Sequence, residues 1–158
     1  MKIDRYDQQI LDILQADGRI NNQELADRIG LSPSPCLRRV RALEESGLIT
    51  GYHAQLDAKK LGLSLMALIH ISMDRHTPER FANFEATVSL LPEVLECLLI
   101  TGQSADYQLK VAVRDMDHYQ ALLLNKITRI EGVTGVHSSF VLRQVVSKAA
   151  LSVASGAL

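Results

Sequence analysis

The chain has 158 residues, with 17 Lys+Arg against 18 Asp+Glu, 47% apolar residues, two Cys and no Trp. That length can bury a sizeable core in one domain or two small ones, and no apolar run approaches the roughly 18–20 residues of a membrane span. Cys36 and Cys97 fit neither a disulfide framework nor a zinc site by spacing, and Met1-Lys2-Ile3-Asp4 leads into a charged, periodic segment rather than a leader peptide, so a soluble protein of the reducing cytoplasm is expected.

The first 47 residues predict three helices. Ile3, Tyr6, Ile10, Ile13 and Leu14 follow the helical period, with Asp4 and Asp7 in the first turn, where the helix dipole favours acids. Gly18 closes that helix. Asn21 then offers an N-cap with Glu24 three positions on, as in a capping box. Leu25, Ala26 and Ile29 form the inner face of a short second helix, which Gly30 ends. Ser32 caps the third helix by bonding the Ser34 N–H, and Pro33 and Pro35 fall in its first turn, where a missing N–H costs little. Leu37, Val40 and Leu43 are expected inside, up to Gly47.

Two helices joined by a short Gly-containing turn make a helix-turn-helix. Its third helix carries the most basic stretch of the chain: Arg38, Arg39 and Arg41 fall within four positions, and no acid lies between Asp27 and Glu44. Overall charge is balanced, so local clustering is what matters for a polyanion. Arg grips phosphate or pairs with guanine O6 and N7. A three-helix packing module with a solvated Arg face is the plainer alternative for this stretch.

A strand-like connector at Leu48 to Tyr52 leads into a different pattern. Strands are expected at Leu65 to Met73, Val94 to Thr101, Tyr107 to Val113 and Val136 to Val146. Helices are expected after Thr77-Pro78, with Phe81, Phe84, Val88 and Leu91 inside, and after Asp115, with Tyr119, Leu122, Leu123, Ile127 and Ile130 inside. The order β-α-β-β-α-β is the ferredoxin-like split unit. The fold class is therefore α+β: a helix-turn-helix over 1–48, a linker strand over 49–63, a ferredoxin-like domain over 64–147 and a tail over 148–158. Ala149 to Leu158 reads as a frayed end or a minor packing strand.

These residues resemble a known family. Asp4 to Leu14, Gly18-Arg19-Ile20, Leu31-Ser32-Pro33-Ser34-Pro35-Cys36-Leu37-Arg38-Arg39-Val40-Arg41 and Gly47-Leu48-Ile49 look like the Lrp/AsnC feast-or-famine transcriptional regulators. Thr101-Gly102, Asp106-Tyr107, Asp115-Met116 and Gly132-Val133 continue the likeness, which covers about residues 2–146. The resemblance implies an N-terminal winged-type helix-turn-helix binding double-stranded DNA and a C-terminal domain that dimerises, assembles further (an octamer, for instance) and binds a small effector, usually an amino acid. It makes Ser32, Ser34, Pro35, Arg38, Arg39 and Arg41 the DNA-facing set, and Gly102, Asp106, Val136 and Ser138 the effector set. Asp106 would accept from the effector's amino group, and Gly102 would allow close backbone approach. The turn here, Gly102-Gln103-Ser104-Ala105-Asp106-Tyr107, is one residue longer than the Gly-Asp-x-Asp-Tyr of many members, and Val136 stands where several carry Thr.

No metal site, cofactor or catalytic triad is called for. The five His form no metal-binding spacing, and no phosphate loop occurs. The alternative reading is an enzyme similar to the sirohaem decarboxylases, which share this two-domain layout; the Arg-rich third helix argues against it, since a decarboxylase has no use for one.

Overall fold

A computed structural model describes residues 2–102, 104–148 and 150–153. The chain divides into a helical unit, made by residues up to 55 with the described residues from 145 on, and a sheet unit over 56–144.

In the helical unit α1 spans Arg5–Ala16, α2 Asn22–Ile29 and α3 Pro33–Glu45. Asp4 caps α1 in a reciprocal box with Asp7: its side chain accepts the Tyr6 and Asp7 N–H groups, and Asp7 accepts the Asp4 N–H. Asn21 caps α2 through the Glu24 N–H, while the Glu24 carboxylate turns forward to Arg28 rather than back to the cap. Ile10, Leu11, Leu25, Ala26, Ile29, Cys36 and Leu43 form the core. Leu37 is not part of it: the buried stripe of α3 runs Cys36, Val40, Leu43, so Leu37 lies off that stripe and is 38% exposed. The small Cys36, fully buried, takes the place expected for Leu37.

The expected strand at 48–52 does not form, and among the described residues 46–64 hold no strand. That segment is tied back to α3 instead, by the Ile49 N–H on the Leu43 carbonyl and the Tyr52 hydroxyl on Glu44. Burial first, then Glu44, pushes the Tyr52 hydroxyl pKa up to about 12. Part of the tail also joins this unit. Val153 packs on the helical core, and the Gln15 amide both donates to the Leu151 carbonyl and accepts its N–H. Ala149 and 154–158, also in the expected tail, lie outside the described residues.

The sheet unit holds β1 (Leu65–Met73), α4 (Pro78–Ser89), β2 (Val94–Leu99), β3 (Tyr107–Val113), α5 (Met116–Asn125), a 3-10 turn at Ile127–Arg129 and β4 (Val133–Phe140). The strands run antiparallel in the order β2-β3-β1-β4. Alternation decides the layers. Ala67, Ile69, Ile71 and Met73 meet Phe84, Val88, Tyr119 and Leu122 from α4 and α5, while Leu68, His70 and Ser72 point to the uncovered side. β4 starts and ends earlier than expected: Val133 already pairs with Met73, and beyond Phe140 paired with Ala67 little of β1 is left to bond.

Two corners carry charge. Arg80 bridges Asp74 and Glu131, and a Cβ on Gly132 (φ +95°) would overlap the Arg80 side chain and lie 2.9 Å from Asp74 Oδ1. Gly102 has φ +86° but open space around it. In urea unfolding, Gly132→Ala is therefore expected to cost about 2–3 kcal/mol and Gly102→Ala about 1. At the other corner, buried Glu93 accepts from Lys126 Nζ (2.7 Å) and faces His118 Nε2 (3.3 Å). Burial works to raise its pKa, but Lys126, its own N–H and His118 outweigh this and hold it below the ordinary 4.5. A lowered folded-state pKa contributes stability that is present above the unfolded value and lost as pH falls through the folded one. Acid titration of stability should thus show a loss below about pH 4.5 that Glu93→Gln reduces; an unchanged acid limb would remove Glu93 as its source.

Candidate DNA interface and effector site

Ser34, Leu37, Arg38 and Arg41 are all exposed and recur at i, i+3, i+4 and i+7 along α3, so they share one face opposite Cys36, Val40 and Leu43. No side-chain cap bond forms at Ser32, contrary to expectation. Pro33 and Pro35 carry no N–H, and the Cys36 N–H donates to the Ser32 carbonyl. Of the first-turn amides that leaves the Ser34 N–H for an anion, next to two serine hydroxyls at the positive end of the helix dipole. Pro35 is half-buried and shapes the turn.

Arg39 departs from the DNA-facing set. Its Nη1 lies 2.8 Å from Asp4 Oδ2 and 2.8 Å from Asp7 Oδ1, and its guanidinium sits 5.3 Å from the Tyr6 ring centroid. One step along a helix is a rotation of about 100°, which turns Arg39 away from Arg38 and toward α1. Asp7 foremost, then Asp4, raise its pKa further, while the Asp7 N–H chiefly lowers that of Asp4. The sequence signal for this was the Asp4/Asp7 pair itself, two acids one turn apart beside a helix carrying three arginines.

On the uncovered side of the sheet, a concavity of ≈ 500 Å³ is lined by His70, Ser72, Ser104, Ala105, Gly135, Val136, His137 and Ser139. Gly102 and Asp106 sit in the adjoining turn. Asp106 is engaged within the protein: Oδ2 accepts the Met73 N–H at 2.7 Å and Oδ1 lies 2.7 Å from His76 Nε2. Its N–H donates to the Ile71 carbonyl and its carbonyl accepts the Ile100 N–H, so it closes the turn. Gly102 is required by its positive φ rather than by anything packed close to it. Gln103 lies outside the described residues.

Ser138 faces the wrong way for the expected role. It pairs with Ile69, points toward the helices, and its hydroxyl bonds the Tyr119 hydroxyl. Val136 pairs with Ile71 and its side chain packs on the core. A one-residue step exchanges the faces of a strand, so His137 and Ser139 occupy the open side, His137 opposite His70 with ring centroids 6.5 Å apart. Their signal was legible in the parity of β1: if Ile69 and Ile71 are inside, their partners on β4 are too.

Residues 66–151 match the Lrp/AsnC ligand binding domain, and residues 3–50 match a winged helix-turn-helix DNA-binding family. The chain belongs to the Lrp/AsnC family. It is 42% identical over 149 residues to the Bkd operon transcriptional regulator of Pseudomonas aeruginosa, covering 94% of this chain and 97% of that protein. To the leucine-responsive regulatory protein of Salmonella typhimurium it is 45% identical over 143 residues, 90% of this chain and 87% of the other. A transcriptional regulator of Neisseria meningitidis, solved as its L-Met complex, superposes with a TM-score of 0.90 at 38% identity, over 95% of this chain and 96% of that one.

Membership makes the chain a DNA-binding transcriptional regulator with a ligand-binding domain, the ferredoxin-like sheet unit. Among the described residues no helix is long and apolar enough to cross a membrane. With α3 as the recognition helix, Arg38→Ala and Arg41→Ala should each weaken binding by about 1–3 kcal/mol where the side chain meets a base, read by fluorescence anisotropy; unchanged binding in both would remove that assignment. Cys36, fully buried and with its thiol pushed up by burial, should resist a thiol reagent until the helical unit unfolds.

Proposed function

We propose that this protein is a homo-oligomeric regulator that grips duplex DNA through the Ser34–Arg38–Arg41 face of α3, with Ser32 at its N-terminus, and whose DNA binding or assembly responds to an amino acid. The observation carrying this is the exposed basic face of α3 in a helix-turn-helix joined to a ligand-binding domain. Dimers through the sheet units, with higher assemblies such as octamers, place two α3 helices in successive major grooves about one helical turn apart. A ligand shifts such an equilibrium only by its differential affinity for the two states. The solved L-Met complex of the Neisseria relative and the leucine-responsive relative support an amino acid as the effector.

The concavity beside the 100–106 turn is the effector site in this reading. His70, Ser72, Ser104, His137 and Ser139 offer polar groups there, and Asp106 holds the turn in shape. The protein acts in the cytoplasm and not as an enzyme, as befits a chain whose relatives are transcriptional regulators.

The test is fluorescence anisotropy with duplexes selected by the protein from a random pool, with and without each amino acid, alongside sedimentation to read assembly. At least one amino acid is expected to shift affinity or size. If none changes either, the effector reading fails. With Arg38 and Arg41 alone on phosphates, a dimer makes about four such contacts, and affinity should fall about 10²-fold between roughly 50 and 200 mM salt. A fall nearer 10³ would mean that about six phosphates are neutralised.

A further inference from the structure

We infer that Arg39 is a positioning residue for DNA recognition, which sets the rotation of α3 through the N-terminal capping box of α1 and touches no DNA itself. The inference rests on α3 being the recognition helix. It is carried by the way four carboxylate oxygens are shared out. Asp4 Oδ1 accepts the Tyr6 and Asp7 N–H groups, and Asp7 Oδ2 accepts the Asp4 N–H. The two oxygens left over, Asp4 Oδ2 and Asp7 Oδ1, both meet the same nitrogen, Arg39 Nη1, at 2.8 Å. The cap that starts α1 thus doubles as a receptor for one atom of α3.

Three features make this a locator rather than a loose surface pair. The Asp7 side chain is only 11% exposed and that of Arg39 30%, so water competes poorly for the Asp7 arm of the contact, while the Asp4 arm is half-exposed. Removing one partner from such a pair leaves the other under-solvated, which makes the loss larger than the pair's net worth. The guanidinium also lies against the Tyr6 ring, so its plane is held as well as its charge. Finally, Asp4 and Asp7 are also held by backbone N–H groups of α1, which lowers the ordering cost of the contact.

The geometric consequence falls on the neighbouring residues. With Arg39 held against α1, Arg38 on one side and Arg41 half a turn on are carried outward, with Ser34 and Leu37, to the exposed face. Release of Arg39 leaves the packing of Cys36, Val40 and Leu43 to locate the helix beyond its first residue, where Asn22 Nδ2 holds the Pro33 carbonyl. Apolar packing fixes depth better than rotation, because it is non-directional. Base recognition, which needs side chains at hydrogen-bonding distance, is then lost before phosphate attraction is.

Arg39→Gln, Arg39→Lys, Asp7→Asn and the Arg39→Gln/Asp7→Asn double variant separate positioning from contact. Anisotropy is measured on a duplex selected by the wild-type protein and on a random duplex, over a salt series, with helicity checked by circular dichroism. Positioning predicts that Arg39→Gln and Asp7→Asn each lower the preference for the selected duplex at least about tenfold. The double variant should lose no more than either alone, because both break one contact. Arg39→Lys, which keeps a cation for the two acids, should retain more preference than Arg39→Gln. The salt slope on random DNA should stay at its wild-type value in all four.

A phosphate contact predicts otherwise. Arg39→Gln would reduce the slope by about 0.9 for each Arg lost, while Asp7→Asn, which removes a negative charge, would leave binding unchanged or stronger. Either of those results overturns the inference. Should Arg39→Gln fail to fold, Asp7→Asn and Arg39→Lys carry the test: wild-type preference in Asp7→Asn overturns it, and a shared loss of preference at constant slope upholds it.

Discussion

The sheet unit depends on one-sided burial. α4 and α5 both lie on the face that carries Ala67, Ile69, Ile71, Leu109 and Val111, and in the single chain the other face is uncovered. Every strand position is thereby assigned, because a strand's side chains alternate and a slip of one residue would exchange the two faces. The uncovered side collects His70, Ser72, His137 and Ser139, side chains that would be costly inside without partners. The concavity beside the 100–106 turn is a product of this division, not an addition to it.

The helical unit solves a different problem, that of presenting a charged face without letting the charges fold back. Three short helices bury a small core between them, with Ile10, Ala26, Cys36 and Leu43 fully enclosed. Polar ties supply the orientation that such a small core lacks. Asn22 Nδ2 donates to the Pro33 carbonyl and joins the start of α2 to the start of α3. Arg39 joins α3 to α1. Arg38 and Arg41, one residue before and two after, share none of these ties among the described contacts and stay outward.

Much of this architecture was legible from periodicity and caps. The ranges of β1 and β3, the Thr77-Pro78 and Asp115 helix starts and the Asn21 cap all follow from local chemistry, and the structure has them where expected. What failed depended on non-local partners. β4 ends where β1 runs out, which no local propensity near Val141 encodes. The connector after α3 has strand-like residues but no neighbouring strand to pair with. Leu37 obeys an apolar rule but lies off the stripe that packing selects. The proposed site residues show the same division. Arg38 and Arg41 needed only helix geometry, whereas Ser138 and Val136 required the strand's parity, and Arg39 required knowing which acids it would meet.

The helical unit is built from both ends of the chain. Gln15 and Leu151, 136 positions apart, bond each other as two strand residues would, amide to backbone in both directions. A protein emerges from the ribosome N-terminus first, so α1, α2 and α3 are free to pack long before their last partner exists. The closing contact belongs to a stretch synthesised after the sheet, and loop-closure entropy rises only with the logarithm of the span. Completion of the DNA-binding unit is thus deferred until the ligand-binding sheet has been made, which ties the maturity of one half of the molecule to the synthesis of the other.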